Sequence, residues 1–480
     1  MIHALISFLG LVIVMSVGII VFQVDPHVPM FIGVIIAACV SLALGYKWED
    51  IEQMMITGIS RAMQAILILA IVGMMIGVWL LSGVIPTMIY YGLKILSPSI
   101  FLIAALLICS ITSLATGTSW GTAGTMGLAL MGIAKGLGMP LPLTAGAILS
   151  GAYFGDKLSP LSDTTNLAPA MAGTDVFTHI KYMMRSTIVA YIIALVYFGI
   201  MGVTHSNSGS ADMSQAQAIS DGLHSYFNIN PVLLLPPLIV ILAIAFKVPA
   251  IPGITLGLIA GAILAPIFQR DLQIFDADTL KLDHTGVTFG DILQDARDGF
   301  VCNSGNEDID SLLTSGGLMN MSSSILMSII AMMFGGIMEG TKQLEAIIEK
   351  ITKVVHSGAG LVIATEITCI ISNIVMPEQY ISILIPGRMY APAYRKAGIH
   401  PKCLSNALES AGTVSSAAVP WNTCGMYMST TLQVSTYEYM PYLMFNYAMM
   451  VTTAVMAVMG LTVTKMTPEE QAKADAGELV

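Results

Sequence analysis

The tripeptide Asp50-Ile51-Glu52, followed by Gly58, recurs 258 residues later as Asp308-Ile309-Asp310, followed by Gly316. The same offset persists far downstream, where it relates Met74-Met75 to Met332-Met333, Gly77 to Gly335 and Thr165 to Thr423. A correspondence that is held over more than a hundred residues indicates an internal duplication. In a membrane protein, a duplication of this kind predicts two related halves, an organisation found in many secondary transporters.

The composition indicates a protein that lies almost entirely in a membrane. Of the 480 residues, 55% are hydrophobic and only 10% are charged, and the mean hydropathy is +0.79. Soluble domains carry about 25% charged residues. Because the backbone has to satisfy its own hydrogen bonds in lipid, we expect an all-α polytopic membrane protein. The first apolar segment, Ala4 to Phe22, has neither the basic start nor the cleavage site of a signal peptide and is interpreted as a retained span.

Eight apolar runs approach the ~20 residues that cross a bilayer. They lie at residues 4–22, 28–45, 62–82, 183–203, 230–246, 250–267, 318–338 and 441–464. The predicted organisation has four parts: a first repeat over 1–203, an extracytoplasmic linker over 204–229, a second repeat over 230–465 and a cytoplasmic tail over 466–480. The second repeat contains an acidic extramembrane insertion at about 270–307, in a region that holds ten of the 30 acidic residues.

The distribution of Lys and Arg predicts how the halves are oriented. The linker contains neither residue and is placed outside, whereas a basic group in the second half is placed in the cytoplasm: Lys342, Lys350, Lys353, Arg388, Arg395, Lys396 and Lys402. Each half is expected to contain five crossings and one re-entrant hairpin, the hairpins lying at 99–138 and 358–387. Because an odd number of crossings ends on the opposite side of the membrane, the second repeat starts from the other side, and the two repeats are predicted to be inverted relative to each other.

The polar residues of the first half gather in two broken segments. One is the predicted hairpin tip, Thr116–Thr122, and the other is a helix interrupted by Pro160. An interrupted helix can present carbonyl groups beside carboxylates, a combination that suits sodium. We therefore predict a sodium site at Asp156, Asp163, Thr118 and Ser119, with Thr164, Thr165 and Lys157 as further ion- or substrate-binding residues. Alternatively, Asp156 and Lys157 form a structural ion pair and the hydroxyls bond to the helix backbone.

The second half repeats the design with different polar residues. Its hairpin tip carries Glu378, and its broken helix runs from Gly412 to Thr423. At the 258-residue offset, Trp421 and Asn422 replace Asp163 and Thr164, so the carboxylate cluster is not symmetric. The first-half carboxylates are therefore expected to hold the cation, and the second half to close the site. The residues predicted to do so are Glu378, Asn373, Asn422, Thr423 and Glu409, with Glu366 nearby.

Other functional classes receive little support from the sequence. The six cysteines and eight histidines are scattered without paired metal-ligand spacing. Neither a catalytic constellation nor a nucleotide-binding loop is present, so we expect neither an enzyme nor a cofactor apart from the transported or coupling sodium ion. Nucleic acid is not an expected partner. A channel is a further alternative, but the inverted duplication favours a carrier that works by alternating access.

The run Gly155–Pro169, supported by Thr116–Gly121 and Pro420–Gly425, closely resembles the NhaC-type sodium/proton antiporter family, and the resemblance covers nearly the whole chain. It implies exchange of sodium for protons across the bacterial cytoplasmic membrane and kinship with transporters that use an elevator motion. The family also includes malate/lactate-type exchangers. Transport of a small organic acid or amino acid therefore remains an alternative, with Lys157, Trp120 and Trp421 as possible contacts. A scaffold that forms a homodimer in the bilayer is also expected.

Overall fold

The computed structural model describes residues 2–207, 213–275, 282–355 and 357–475. The first part of the chain forms helices α1 (Ile2–Ser16), α2 (His27–Ala43), α3 (Trp48–Leu81), α4 (Val84–Ile95), α5 (Pro98–Thr116), α6 (Ser119–Thr122), α7 (Leu128–Gly136), α8 (Leu141–Leu158), α9 (Asp163–Ala172) and α10 (Val176–Asn207). The middle forms α11 (Met213–Tyr226), α12 (Leu235–Ala245), α13 (Ala250–Phe268), β1 (Gln273–Phe275), β2 (Leu282–Thr285), α14 (Phe289–Asp298) and α15 (Glu307–Leu313).

The last part forms α16 (Ser322–Gly340), α17 (Gln343–Val354), α18 (Gly358–Val375), α19 (Gln379–Lys396), α20 (Pro401–Leu408), α21 (Thr423–Leu432), α22 (Thr436–Tyr439), α23 (Met444–Val458) and α24 (Pro468–Asp475). Three π-helical turns interrupt the α-helices at Val17–Val21, Ala123–Gly127 and Glu409–Thr413. Short 3₁₀ turns lie at Pro231–Leu234, Met319–Met321, Ser416–Ala418 and Met440–Tyr442.

Seven helices in the described part of the chain are long and apolar enough to cross a membrane, or up to nine when each of two bent pairs is taken as one span. The multi-span helical character predicted from composition is thus confirmed. Three predicted spans are shorter or more bent than expected. The helix α2 has only 17 residues. The helix α12 belongs to a helix pair that is bent by 103°, and α23 belongs to another pair that is bent by 52°. In contrast, α3 extends over 34 residues and far exceeds the predicted 62–82.

Close backbone contacts between helices depend on small residues. A Cβ atom at Gly58 in α3 would lie 2.1 Å from the carbonyl oxygen of Met332 and 3.0 Å from Cα of Gly336, both in α16. A Cβ at Gly155 in α8 would lie 2.4 Å from the carbonyl oxygen of Ser110 in α5. Small residues that let backbones approach are a common device for packing helices in membranes. They bring α8, which carries Asp156, directly against α5.

The described residues of the acidic insertion are folded, and they contain the only strands in the described part of the chain. Strands β1 and β2 pair antiparallel, with Gln273 opposite Thr285, so the all-α expectation was wrong at this hairpin. Helix α14 follows and packs against α3. Just after the insertion, the backbone N–H of Gly317 donates to the carbonyl oxygen of Gly73 in α3 at 2.7 Å. The charged composition of this stretch is typical of a loop, so the sequence did not predict these elements.

One carboxyl group of α14 has an unusual environment. Burial, together with the neighbouring charges of Asp291 and Asp298, raises the pKa of Asp295 to about 8. In the unfolded chain this group ionises near pH 4. Folding therefore becomes less favourable as the pH rises from about 4 to about 8, because only the unfolded state releases this proton over that range.

We expect Asp295→Asn to raise the melting temperature of the purified protein at pH 9 and to have little effect at pH 4. Scanning fluorimetry in detergent over this pH range measures the difference. Asp271→Asn provides the control, since Asp271 is exposed in the same insertion. An equal change in melting temperature at both pH values would contradict the raised pKa of Asp295.

Candidate functional site

Each of the two segments predicted as re-entrant hairpins contains a break between helices, after α5 in the first and after α18 in the second, and each break contacts an interrupted helix. The helices α5 and α18 are nevertheless long and apolar enough to cross a membrane, so the prediction that neither segment holds a full span was wrong by length and composition. We call the two segments the first and the second hairpin. In the first hairpin, Gly117 ends α5 with a left-handed φ of +71°, and the hydroxyl of Thr118 caps α6 by accepting from the N–H of Gly121 at 3.2 Å. A Cβ at Gly117 would lie 2.7 Å from the carbonyl carbon of Leu161. This tip therefore lies directly against the break between α8 and α9.

The break between α8 and α9 follows from its sequence. Ser159 is extended, as is usual before a proline, and the hydroxyl of Ser162 caps α9 by accepting from the N–H of Thr165. The hydroxyl of Thr165 in turn donates to the carbonyl oxygens of Asp156 and Lys157, at 3.1 and 3.0 Å. These two carbonyl oxygens share the single proton of that hydroxyl, so the break leaves them only partly satisfied beside the carboxylates.

The second hairpin is built in the same way. Its tip residue Glu378 caps α19, with the carboxylate accepting from the N–H of Ile381 at 3.0 Å. The adjacent carbonyl oxygen of Pro377 accepts from the N–H of Thr423 at 3.0 Å, which joins the tip to the start of α21. Asn422 caps α21 and donates to the side-chain oxygen of Asn373 at 3.1 Å. Asn373, Asn422 and Thr423 therefore hold the second hairpin to the second broken helix.

A cavity of about 550 Å³ lies between these hairpins and the break at 159–162. Among the predicted site residues, its walls include Thr118, Ser119, Asp156, Asp163, Thr164 and Glu378. The aromatic wall includes Trp120, which stacks on Tyr427 with ring centroids 4.2 Å apart, and Tyr380, whose hydroxyl donates to Asp163 at 3.4 Å. Both halves of the chain thus contribute to one polar chamber.

The two aspartates differ in their surroundings. Asp156 is 5% exposed, and its carboxylate accepts from the backbone N–H of Ser119 at 3.0 Å. The hydroxyl oxygen of Ser119 is buried without a hydrogen-bond partner in the described residues. Asp163 is exposed to the cavity at the start of α9. A buried carboxylate next to an unsatisfied hydroxyl offers hard oxygen ligands for a small cation.

Several predicted site residues lie elsewhere. Lys157 is fully buried and donates to the hydroxyl of Ser410 at 3.2 Å, on the side of α8 away from the cavity. Glu409 and Glu366 are buried in the same region and do not line the cavity. Thr165, Asn373, Asn422 and Thr423 are likewise absent from its walls, as is Trp421, whose indole N–H donates to the carbonyl oxygen of Ile374.

Two basic residues of the cavity wall were missed from the sequence. Arg61 and Lys247 both line the chamber, and Arg61 also forms an ion pair with Glu339. The apolar run predicted as a span begins at residue 62, so Arg61 falls just outside it. The signal was present nonetheless: Arg61 lies inside the 34-residue helix α3, and a charged side chain within a long apolar helix is a functional candidate by default.

The fold and site define a polytopic helical membrane protein with a polar chamber lined by the tips of two hairpins and by the interrupted helix α8–α9. Residues 151–461 match the Na⁺/H⁺ antiporter family. A malate-2H⁺/Na⁺-lactate antiporter of Bacillus subtilis is 38% identical over 418 residues, covering 87% of this chain and 86% of its own length. The Na⁺/H⁺ antiporter NhaC of Alkalihalophilus pseudofirmus is 36% identical over 445 residues, or 93% and 92% of the two chains.

An arginine/ornithine antiporter, ArcD of Halobacterium salinarum, is 32% identical over 477 residues, covering 99% of this chain and 95% of its own. This chain belongs to the Na⁺/H⁺ antiporter family, as the resemblance of Gly155–Pro169 to NhaC-type proteins predicted. Together with its apolar helices, this membership makes it a multi-pass protein of the bacterial cytoplasmic membrane.

Proposed function

We propose that this protein exchanges sodium for protons by alternating access, and that sodium binds in the cavity at Asp156 and Asp163 with oxygen ligands from Thr118 and Ser119. The observation that carries the proposal is the buried carboxylate of Asp156 beside the unsatisfied hydroxyl of Ser119. An ion in this position would exchange its hydration shell for fixed oxygen atoms. The named activity of the NhaC relative supports the same cargo.

The proposed mechanism uses two inverted repeats and an elevator motion. The interruptions at 117–118 and 159–162 recur at 376–378 and 419–422, close to the 258-residue offset of the sequence. Under this proposal the hairpins and broken helices move as one body against the outer spans, and the outer spans of two copies form the predicted homodimer. Two related half-structures give an inward-facing and an outward-facing state of similar energy, which alternating access requires.

A second candidate is exchange of a small organic acid or amino acid coupled to sodium. The cavity volume of about 550 Å³ is far larger than a bare ion needs. Its wall also combines the basic Arg61 and Lys247 with three carboxylates, and these could bind the opposite charges of an organic solute. The B. subtilis and H. salinarum relatives are named for such substrates. Lys157, which sequence reasoning favoured for this role, does not line the cavity.

Purified protein in liposomes distinguishes these functions. A sodium gradient is imposed and the internal pH is followed with a trapped dye, with and without malate, lactate or arginine, for the wild type and Asp163→Asn. We expect sodium-driven proton movement without any organic solute. Movement that begins only after an organic solute is added would instead support the second candidate. Counterflow of labelled sodium would exclude a channel, since channels do not show it.

A further inference from the structure

A second polar cluster lies behind the cavity and has no part in the proposed sodium site. Its centre is Glu409, which is fully buried and opens the π-helical turn Glu409–Thr413. Lys157 and Glu366 interact electrostatically with one another, and Lys157 interacts with Glu409 as well. One carboxylate oxygen of Glu409 is buried without a hydrogen-bond partner in the described residues. Turns of the π type are frequent at functional sites.

A short chain of hydroxyl groups connects the cavity to Glu409. The hydroxyl of Thr164 donates to the carboxylate of Glu409 at 3.1 Å. The hydroxyls of Ser162 and Thr164 are 3.1 Å apart, and both residues line the cavity. Because the single proton of Thr164 is directed to Glu409, Thr164 must accept from Ser162. Ser162 then has no proton left for Asp156, with which it also forms a hydrogen bond, so it can only accept from Asp156 when that carboxyl group is protonated. With Asp156 protonated, the donors are aligned from Asp156 at the cavity wall, through Ser162 and Thr164, to Glu409.

We propose that Glu409 is a proton-binding site separate from the carboxylates that hold sodium, and that protons reach it from the cavity through the hydroxyls of Ser162 and Thr164. The proposal rests on the sodium/proton exchange proposed above and names the group that carries the proton. It differs from the simpler expectation that sodium and the proton compete directly for Asp156.

The transfer balances without any further reactant. A proton from the cavity binds to the oxygen of Ser162, whose own proton passes to the oxygen of Thr164, and the proton of Thr164 passes to Glu409. Both hydroxyls are regenerated, and rotation about their C–O bonds resets the chain. The cavity loses one proton and Glu409 becomes a neutral acid. Lys157, held by the hydroxyl of Ser410 at 3.2 Å, supplies positive charge near Glu409 when the carboxylate is ionised.

This arrangement couples the two ions through charge. Ionised Glu409 interacts with the carboxylate of Asp156 as a like charge, and both side chains are buried. Sodium at Asp156 offsets that repulsion and so favours the ionised form of Glu409. Protonation of Glu409 in turn removes one negative charge from the surroundings of the sodium site and weakens sodium binding. Each ion thus disfavours the other, as exchange requires, and linkage makes the effect reciprocal.

The first test uses Glu409→Gln, which keeps the size of the side chain and its acceptor for Thr164 but cannot bind a proton as a carboxylate does. Two rates are measured in the same liposomes: sodium-driven movement of protons, and exchange of labelled for unlabelled sodium across the membrane. We expect the proton movement to fall about 100-fold, within the range attributed to a positioned acid or base. Because the glutamine also lacks the negative charge, we expect a higher half-saturating sodium concentration, but at saturating sodium the rate of sodium/sodium exchange should remain within about twofold of the wild type, since it requires no proton transfer.

The second test interrupts the hydroxyl chain. Thr164→Val has a similar shape but no hydroxyl, and Thr164→Ser restores the hydroxyl. We expect the valine variant to lose proton movement by a much larger factor than sodium/sodium exchange, and the serine variant to retain both. A structural role for Thr164 would instead reduce both rates together in the valine variant. Size-exclusion profiles and melting temperatures show whether each variant is folded.

The outcomes separate this proposal from the proposed function. Wild-type protein that moves no sodium at all would overturn the proposed function. In that case the same variants are compared by counterflow of the organic solute that is transported. Normal proton movement in Glu409→Gln would overturn the separate proton site and support direct competition at Asp156. Loss of both rates in folded Glu409→Gln would also overturn it, because Glu409 would then be needed for sodium as well.

Discussion

Asp156→Asn is expected to reduce sodium-driven proton movement about 100-fold in liposomes, because loss of ~3 kcal/mol of binding energy lowers affinity by two decades. Asp156 is nearly buried, and its carboxylate accepts from the N–H of Ser119 at the first hairpin tip. The asparagine keeps the shape and an acceptor oxygen for this hydrogen bond but removes the negative charge. A buried charge partner is worth ~2–5 kcal/mol, much more than an exposed one.

The matched comparison is Asp163→Asn at the same cavity. Asp163 is exposed, so water screens its charge, and we expect a reduction of about tenfold, or ~1.4 kcal/mol. The measurement is the sodium concentration that gives half-maximal flux, together with the maximal rate. A larger effect at Asp163 than at Asp156 would contradict the sodium site proposed above. An equal and complete loss of transport in both variants would show that the buried Asp156 does not contribute more to sodium binding than the exposed Asp163.

A disulfide between Gly335→Cys and Met376→Cys is expected to stop transport. Gly335 lies in α16, a proposed scaffold span, and Met376 lies at the tip of the second hairpin. A Cβ atom at position 335 would be 3.9 Å from Cβ of Met376, within the range of ~3.5–4.5 Å that disulfides require. If the hairpin moves relative to α16 during transport, the bond fixes one of the two states. Flux should fall to background on oxidation and return after reduction.

The single-cysteine variants are the controls for this experiment. Cys424 is a buried native cysteine that contacts Gln379 near the same tip, so Met376→Cys alone reveals any unintended pairing with it. Non-reducing peptide mapping measures how completely the designed bond forms. Full transport by quantitatively crosslinked protein would contradict the elevator proposal. That result would not contradict the proposed sodium site, since the site depends on other contacts.

Much of the architecture could be predicted from the sequence because membranes impose strong local rules. Apolar runs of sufficient length have to form helices, and Pro160, Pro377 and Pro420 mark where helices are interrupted. The duplication indicated that breaks in one half would have counterparts in the other. These signals are local in the chain, so they did not depend on knowing how the helices pack. These signals did not predict the strands and helix of the acidic insertion, because its charged composition is typical of a loop.

The tertiary structure alone decided which polar residues share a chamber. Asp156 and Lys157 are adjacent in sequence and were weighed as a possible ion pair, yet one faces the cavity and the other the buried cluster around Glu409. Successive residues on a helix point in directions about 100° apart, so neighbours in sequence rarely face each other. The partners of Asp156 and Thr164, namely Ser119 and Glu409, lie 37 and 245 residues away. Side-chain direction and long-range packing set these contacts, and neither is encoded in local sequence spacing.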